Sequence, residues 1–201
     1  MVSIIDILVN KHNLLDENYT PDNLVYSDNN ENNFHKYVDP NGKPCVTEET
    51  LAAFRILQQA ALVSGLHIII DSGYRSFEYQ KRVWNHIVET KGLEHAKKFV
   101  APPGASEHQT GLAVDIAVFI NNKYDDNITE DNEEYKWMIE NAHKYGFVLR
   151  YPKGKEKITG YNFEPWHFRY LGVDLATKLH QENITLEEFY QKKEVTKSLL
   201  K

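Results

Sequence analysis

Cysteine is nearly missing from this chain: Cys45 is the only one in 201 residues. An intramolecular disulfide and a thiolate zinc finger are therefore excluded, and the lack of disulfides fits a reducing compartment. Cys45 sits in Asn41-Gly42-Lys43-Pro44-Cys45-Val46, read as a turn leading into a helix, where a bystander thiol is the expected role rather than a nucleophile. Long apolar runs are missing too. Nowhere do eighteen apolar residues follow one another, so no membrane-spanning helix is encoded. Met1 to Asn10 has no basic stretch, and Asp6 interrupts an apolar run too short for a signal peptide core. Positive charge is in deficit: 23 Lys and Arg stand against 29 Asp and Glu, a formal net charge of −6. No basic tract offsets this, which argues against a nucleic-acid partner, since affinity for phosphate backbones rests on clustered Lys and Arg. A Gly-x-Ser-x-Gly elbow is absent as well, which removes the usual frame for a Ser-His-Asp hydrolase. No repeat or flexible linker divides the chain, and its length fits one domain with a sizeable core.

The patterning that is present predicts an α+β domain. Residues 1–44 are polar and Asn-rich, with short apolar stretches at Ile4 to Val9 and Leu24 to Tyr26, turn signals at Pro21-Asp22 and Pro40-Asn41-Gly42, and a loop near Ser27 to Asn33. They read as a lead-in wrapped on the domain with little regular structure, followed by the main domain over 45–201. Thr47 is placed to cap a helix with Glu48 and Glu49 in its first turn and Leu51, Phe54, Leu57, Ala61 and Leu62 at helical spacing before Gly65. Leu66 to Ile70 reads as a strand. Ser76 caps a second helix running to Lys91, with Tyr79, Val83 or Trp84, and Ile87 as its inner stripe, and a short helix covers Leu93 to Val100. Two prolines make Ala101 to Ala105 irregular. A strand over Leu112 to Phe119 is followed by an acidic loop, Asn121 to Asp131, which lacks an EF-hand pattern and reads as solvated, at the border of a cleft. Asp131 with Glu134 resembles a capping box for a helix holding Tyr135, Met138 and Ile139 inside. Then come a strand over Phe147 to Tyr151, a basic turn over Pro152 to Gly160, a strand over Phe163 to Leu171, and two helices, Val173 to Glu182 and one capped by Thr185 with Glu188.

The chemistry concentrates in Ser106-Glu107-His108-Gln109-Thr110-Gly111-Leu112-Ala113-Val114-Asp115-Ile116 and in Glu164-Pro165-Trp166-His167. A buried strand does not normally carry a carboxylate such as Asp115 unless something pairs with it, and a divalent metal is the simplest partner. His108, Asp115 and His167 would supply two imidazole nitrogens and one carboxylate oxygen, a set that suits one zinc ion and leaves a fourth position open. The competing reading is a turn histidine and a helix-capping aspartate with no metal. Glu164 lies three residues before His167, beyond a proline, and is placed to act as general base beside the metal. Arg75, in Asp71-Ser72-Gly73-Tyr74-Arg75-Ser76 after a strand, is by composition a surface ion pair; Gln80 is by default solvated, Ser106 a turn serine, and Trp166 either a core aromatic or part of a cleft wall. The remaining histidines, His180 among them, lack a comparable constellation.

Ser72 to Ser76, Ser106 to Asp115 and Glu164 to Tyr170, in that order, resemble the three motifs of the zinc D-alanyl-D-alanine carboxypeptidases. That group includes vancomycin-resistance D,D-carboxypeptidases, bifunctional D,D-dipeptidase/carboxypeptidases and L,D-carboxypeptidases. Leu8-Val9-Asn10-Lys11 extends the likeness, and Gly146 to Pro152 with Ile158 to His167 is especially similar to the bifunctional branch. The resemblance implies an antiparallel sheet flanked by helices, with one zinc ion in a cleft over it. It also implies that Arg75 anchors the terminal carboxylate of a peptidoglycan peptide or precursor and that Gln80, Ser106 and Trp166 contact substrate. The expected activity is removal of a terminal D-alanine from D-Ala-D-Ala; alternatives are an L,D-carboxypeptidase, a D,D-dipeptidase, or a non-catalytic zinc or wall-binding module. The location is expected to be cytoplasmic if Met1 is the native start, and extracytoplasmic and membrane-anchored if an anchor once preceded it.

Overall fold

The computed structural model of the chain describes residues 4–27, 45–121 and 123–199. The sequence expectations for Asp28 to Asn33 and for Pro40-Asn41-Gly42 fall outside them. Near the start, β1 (Leu24–Tyr26) pairs antiparallel with β2 (Cys45–Thr47), in the register Leu24 with Thr47 and Tyr26 with Cys45. One expectation is corrected here: Cys45 begins a strand, not a turn; the described part of the lead-in holds only a 3-10 turn over Ile4–Asp6 and the three-residue β1. Each strand has three residues, too short for its alternation to be readable.

Thr47 caps α1 (Glu48–Val63) by accepting from the amide of Thr50, and Leu51, Phe54, Leu57 and Ala61 bury one stripe of the helix. Leu62, expected on that stripe, is instead 44% exposed. β3 (Ile68–Ser72) follows. Ser76 caps α2 (Phe77–Lys91), which Gly92 stops before α3 (Leu93–Phe99). β4 (Ala113–Ile120) turns back through β5 (Lys123–Asp125), a short strand inside the expected acidic loop. α4 (Glu133–Asn141) starts at Asn132, one residue later than expected, and Asn132 accepts from the amide and hydroxyl of Thr129. β6 (Phe147–Leu149) leads through α5 (Glu156–Thr159), a helical turn in the expected basic turn, to β7 (His167–Tyr170). β7 is shorter than expected and excludes Glu164, which lies in the approach to the strand. α6 (Val173–Glu182) and α7 (Leu186–Leu199) complete the chain, α7 with a reciprocal capping box between Thr185 and Glu188.

The antiparallel sheet runs β3-β4-β7-β6, with β5 on β4. Val114, Ile116 and Val118 send one face of β4 into a core shared with Phe54, Leu57, Met138, Phe147 and Phe168, so α1 and α4 cover that face. On the other face Ala113 and Ala117 are small, and Asp115 stands between them at the floor of a cleft of about 400 Å³. The α+β class and the flanked antiparallel sheet are as the sequence and its resemblance predict.

Candidate metal centre

Strand register assembles two of the three expected ligands. In β4 and β7 Asp115 lies directly opposite His167, and on its other side Asp115 faces Ser72 across a bulge in β3. Cross-strand partners hold their Cβ atoms about 5 Å apart, so this pairing alone brings carboxylate and imidazole together. The third ligand arrives on the one-turn 3-10 segment Glu107–Thr110, where all four side chains are buried. Thr110 donates to the carbonyl of Glu107 and accepts from the amide of Leu112, Gln109 donates to the carbonyls of Asp16 and Tyr19, and Gly111 in a left-handed conformation turns the chain into β4.

His108 Nδ1 lies 2.6 Å from the carbonyl of Gly73, so Nδ1 carries the hydrogen and Nε2 faces the cleft, 3.2 Å from Asp115 Oδ2. Gly73 is required there: a Cβ at this position would stand 2.2 Å from the carbonyl oxygen of Cys45. His167 presents the opposite nitrogen. Its Nδ1 is 2.9 Å from Asp115 Oδ1, while its Nε2 points at Glu107 Oε2, 3.6 Å away. One ligand atom from each of His108, Asp115 and His167 can be chosen so that all lie within 4.8 Å of one another.

The charges fit a cation. Burial, with Arg75 nearby, pushes His108 down to about 4. Burial alone would lower His167 too, but the hydrogen bond to Asp115 and the facing Glu107 carboxylate push it up to about 9. Burial acts against the Asp115 carboxylate, yet His108 and His167 hold it well below its ordinary value. Without metal, protonated His167 thus supplies the positive charge that the carboxylates require, and a bound divalent ion would replace its Nδ1 hydrogen. His108 Nε2 is buried without a hydrogen-bond partner, as a nitrogen reserved for a metal should be. The residues therefore fit zinc, with a side open to the cleft.

Glu164 lines the same cleft, and burial pushes its carboxyl up to about 7, with Asp115 and Glu107 adding to the rise against His167 and Arg75. Arg75, 3.4 Å from Asp115, receives support from Gln80, whose Oε1 accepts from Nη1 at 3.2 Å while its Nε2 donates to the carbonyl of Ala101 at 2.7 Å. Gln80 is therefore buried rather than solvated, with both ends of its amide engaged by protein groups. Ser106 lines the cleft, and so does Trp166, which also packs on the main core; both readings of the tryptophan hold. Val83 and Ile87, expected to face a core, form a cleft wall instead. Asp126 and Asn127 bring the acidic loop to the cleft.

Sequence reasoning missed Glu107. It is fully buried, and Oε1 accepts from Arg150 Nε and Arg169 Nη1, both at 2.8 Å. The available signal was an acidic residue next to a ligand histidine in a motif whose polar side chains all turn inward.

A helix-flanked antiparallel sheet with a His-Asp-His cluster, a carboxylate of raised affinity for protons and an arginine in one cleft fits the class of metallopeptidase centres. The comparisons sharpen the class: the VanY model of D-alanyl-D-alanine carboxypeptidases matches residues 43–173, and the chain belongs to that family. It is 41% identical over 185 residues to the putative carboxypeptidase YodJ of Bacillus subtilis, covering 92% of this chain and 66% of that protein. It is 33% identical to the bifunctional D-Ala-D-Ala dipeptidase and carboxypeptidase VanXYC of Enterococcus gallinarum, covering 91% of this chain and 92% of the relative. The chain spans about two thirds of the Bacillus relative and about half of an Enterococcus faecalis D-alanyl-D-alanine carboxypeptidase. Among solved structures, the LdcB LD-carboxypeptidase superposes with a TM-score of 0.81 at 40% identity over 92% of this chain and 85% of that one. VanYB in complex with D-alanine-D-alanine superposes at 0.76 and 34%, over 94% and 98%. A related VanY was solved in complex with Zn(II). Among the described residues no helix is long and apolar enough to cross a membrane.

Proposed function

We propose that the protein is a zinc-dependent D,D-carboxypeptidase that removes the terminal D-alanine from peptidoglycan peptides or precursors ending in D-Ala-D-Ala. The observation that carries this reading is the placement of Arg75 and Glu164 in the same cleft as His108, Asp115 and His167. His108 Nε2, one Asp115 oxygen and His167 Nδ1 would hold the ion, which supplies Lewis acidity toward a carbonyl and lowers the pKa of a coordinated water. Arg75, steadied by Gln80, would bind the terminal carboxylate through a two-pronged guanidinium contact and so fix which peptide bond reaches Glu164. Glu164, with a proton affinity near neutrality, would take a proton from the attacking water and pass it to the leaving amine. Ser106 and Trp166 would line the bound peptide.

A second reading is specifically favoured by the 40% identity to the LdcB LD-carboxypeptidase: cleavage of the terminal D-alanine of a tetrapeptide, next to an L-centre. Mass spectrometry of products from a D-Ala-D-Ala pentapeptide, a D-Ala-ending tetrapeptide and free D-Ala-D-Ala, with zinc-loaded and chelated protein, tests both. Metal-dependent loss of one alanine from the pentapeptide supports the first reading, and preference for the tetrapeptide supports the second. Cleavage of the free dipeptide in preference to both would make the protein a dipeptidase. No cleavage by zinc-loaded protein would reject both readings and point to a binding module or to a peptide substrate outside these three.

A further inference from the structure

We infer that Glu107 is the positioning residue that decides which nitrogen of His167 faces the metal, and that α7 and the N-terminal segment hold it to this task from behind. The inference rests on the His108-Asp115-His167 reading of the site. Glu107 Oε2 and His167 Nε2 are both buried, neither has a hydrogen-bond partner, and they face each other as an ion pair at 3.6 Å. Both ring nitrogens face carboxylates, Nδ1 that of Asp115 and Nε2 that of Glu107; because Asp115 is itself a ligand while Glu107 is held by two arginines, the hydrogen that stays when an ion binds is the one on Nε2, and the lone pair offered is that of Nδ1. Tyr151 stacks on the imidazole with ring centroids 4.9 Å apart and restricts rotation of the ring.

What fixes Glu107 lies outside the cleft. Arg150 Nε and Arg169 Nη1 both donate to Oε1, so two guanidinium groups hold the Glu107 carboxylate in place. Arg150 also makes a two-pronged pair with Glu187 of α7, at 2.8 and 2.6 Å. Glu187 in turn accepts from Asn10 at 3.2 Å. Arg169 donates its remaining Nη2 to the carbonyls of Ile5 and Ile7, at 2.9 and 3.0 Å. Neither guanidinium can follow a displaced Glu107 without abandoning its other partners, Glu187 for Arg150 and the Ile5 and Ile7 carbonyls for Arg169.

The test compares the metal-free and metal-loaded full chain carrying Glu107→Asp, Glu107→Gln or Glu187→Gln. Competition with a chromophoric chelator measures zinc affinity, and the visible spectrum of the cobalt-substituted protein with the nitrogen-15 shifts of His167 reports which atom binds. Glu107→Asp keeps the charge between the two arginines but withdraws the carboxylate from His167, and zinc affinity falls about ten- to a hundredfold with circular dichroism unchanged. Glu107→Gln turns an amide donor toward Nε2, forces the ring hydrogen onto Nδ1 and changes the cobalt spectrum, which a purely structural role would leave alone. Glu187→Gln weakens zinc binding by less than Glu107→Asp, and carries the test should neither Glu107 variant fold. Wild-type zinc affinity and an unchanged cobalt spectrum in folded Glu107→Asp would overturn the role of Glu107; unchanged affinity in Glu187→Gln would overturn its extension to α7. A wild-type chain that takes up no zinc would overturn the metal-site reading itself, a distinct result.

Discussion

Replacing Glu164 by glutamine should stabilise the metal-free protein, and only above acidic pH. The carboxyl belongs to a half-buried side chain whose proton affinity is raised from the ordinary 4.5 to about 7, chiefly by burial. Below pH 4.5 the group is protonated whether the chain is folded or not, and it costs nothing. As pH rises from there to 7, the unfolded chain releases the proton while the folded one retains it, so folding becomes progressively less favourable; above 7 the cost is constant. A shift of this size corresponds to about 3 kcal/mol, and solvent reaching a half-buried carboxylate reduces the expectation to about 1–2 kcal/mol. Glutamine cannot ionise and escapes this cost. Urea unfolding of chelated wild-type and Glu164→Gln proteins at pH 4.5 and pH 8 measures the difference, with chelator needed because a bound cation would itself favour the carboxylate. The reasoning fails if the variant gains no more stability at pH 8 than at pH 4.5, or if it loses stability at pH 8.

With zinc restored, the same Glu164→Gln variant should keep its metal content by elemental analysis while turnover falls about 100- to 10,000-fold, the range for loss of a general base. Arg75→Lys should lower kcat/KM by about thirtyfold, roughly 2 kcal/mol, because one ammonium cannot reproduce a two-pronged contact; steady-state kinetics on a carboxylate-ended peptide against its amide separates this from a folding defect. Gly73→Ala should cost about 1–3 kcal/mol in thermal unfolding, since its methyl group meets the Cys45 carbonyl. Arg150→Met leaves Glu107 and Glu187 buried without their shared cation and should cost about 3–5 kcal/mol, read as a lowered urea midpoint.

His108, Asp115 and His167 were legible chiefly through the resemblance of their motifs to a known family, since their spacing alone left a turn histidine and a capping aspartate open. α1 and α2 were legible from Thr47 and Ser76 at their caps and from Gly92 at the end of α2, which are local signals. Glu107 was not, because its burial depends on Arg150 and Arg169, 43 and 62 residues further along, and nothing near it in sequence announces them. The inner stripe of α2 misled for a related reason: Val83 and Ile87 face a cavity, and apolar periodicity reports a covered face without saying what covers it. β5 failed because a strand of three residues carries too little alternation to stand out from an acidic loop.

The pairing of Asn10 with Glu187, 177 positions apart, and of the Tyr190 hydroxyl with the Asp6 carbonyl, 184 apart, has a bearing on how the molecule comes into being. Contacts of such sequence separation close their loops late, after local helices and neighbouring strands have formed. On a ribosome, His108 and Asp115 emerge long before the groups that brace Glu107, so an early metal ion would meet a half-built cradle with a freely turning His167. Final locking of the centre is then tied to completion of the fold, and an interrupted chain would hold its metal loosely.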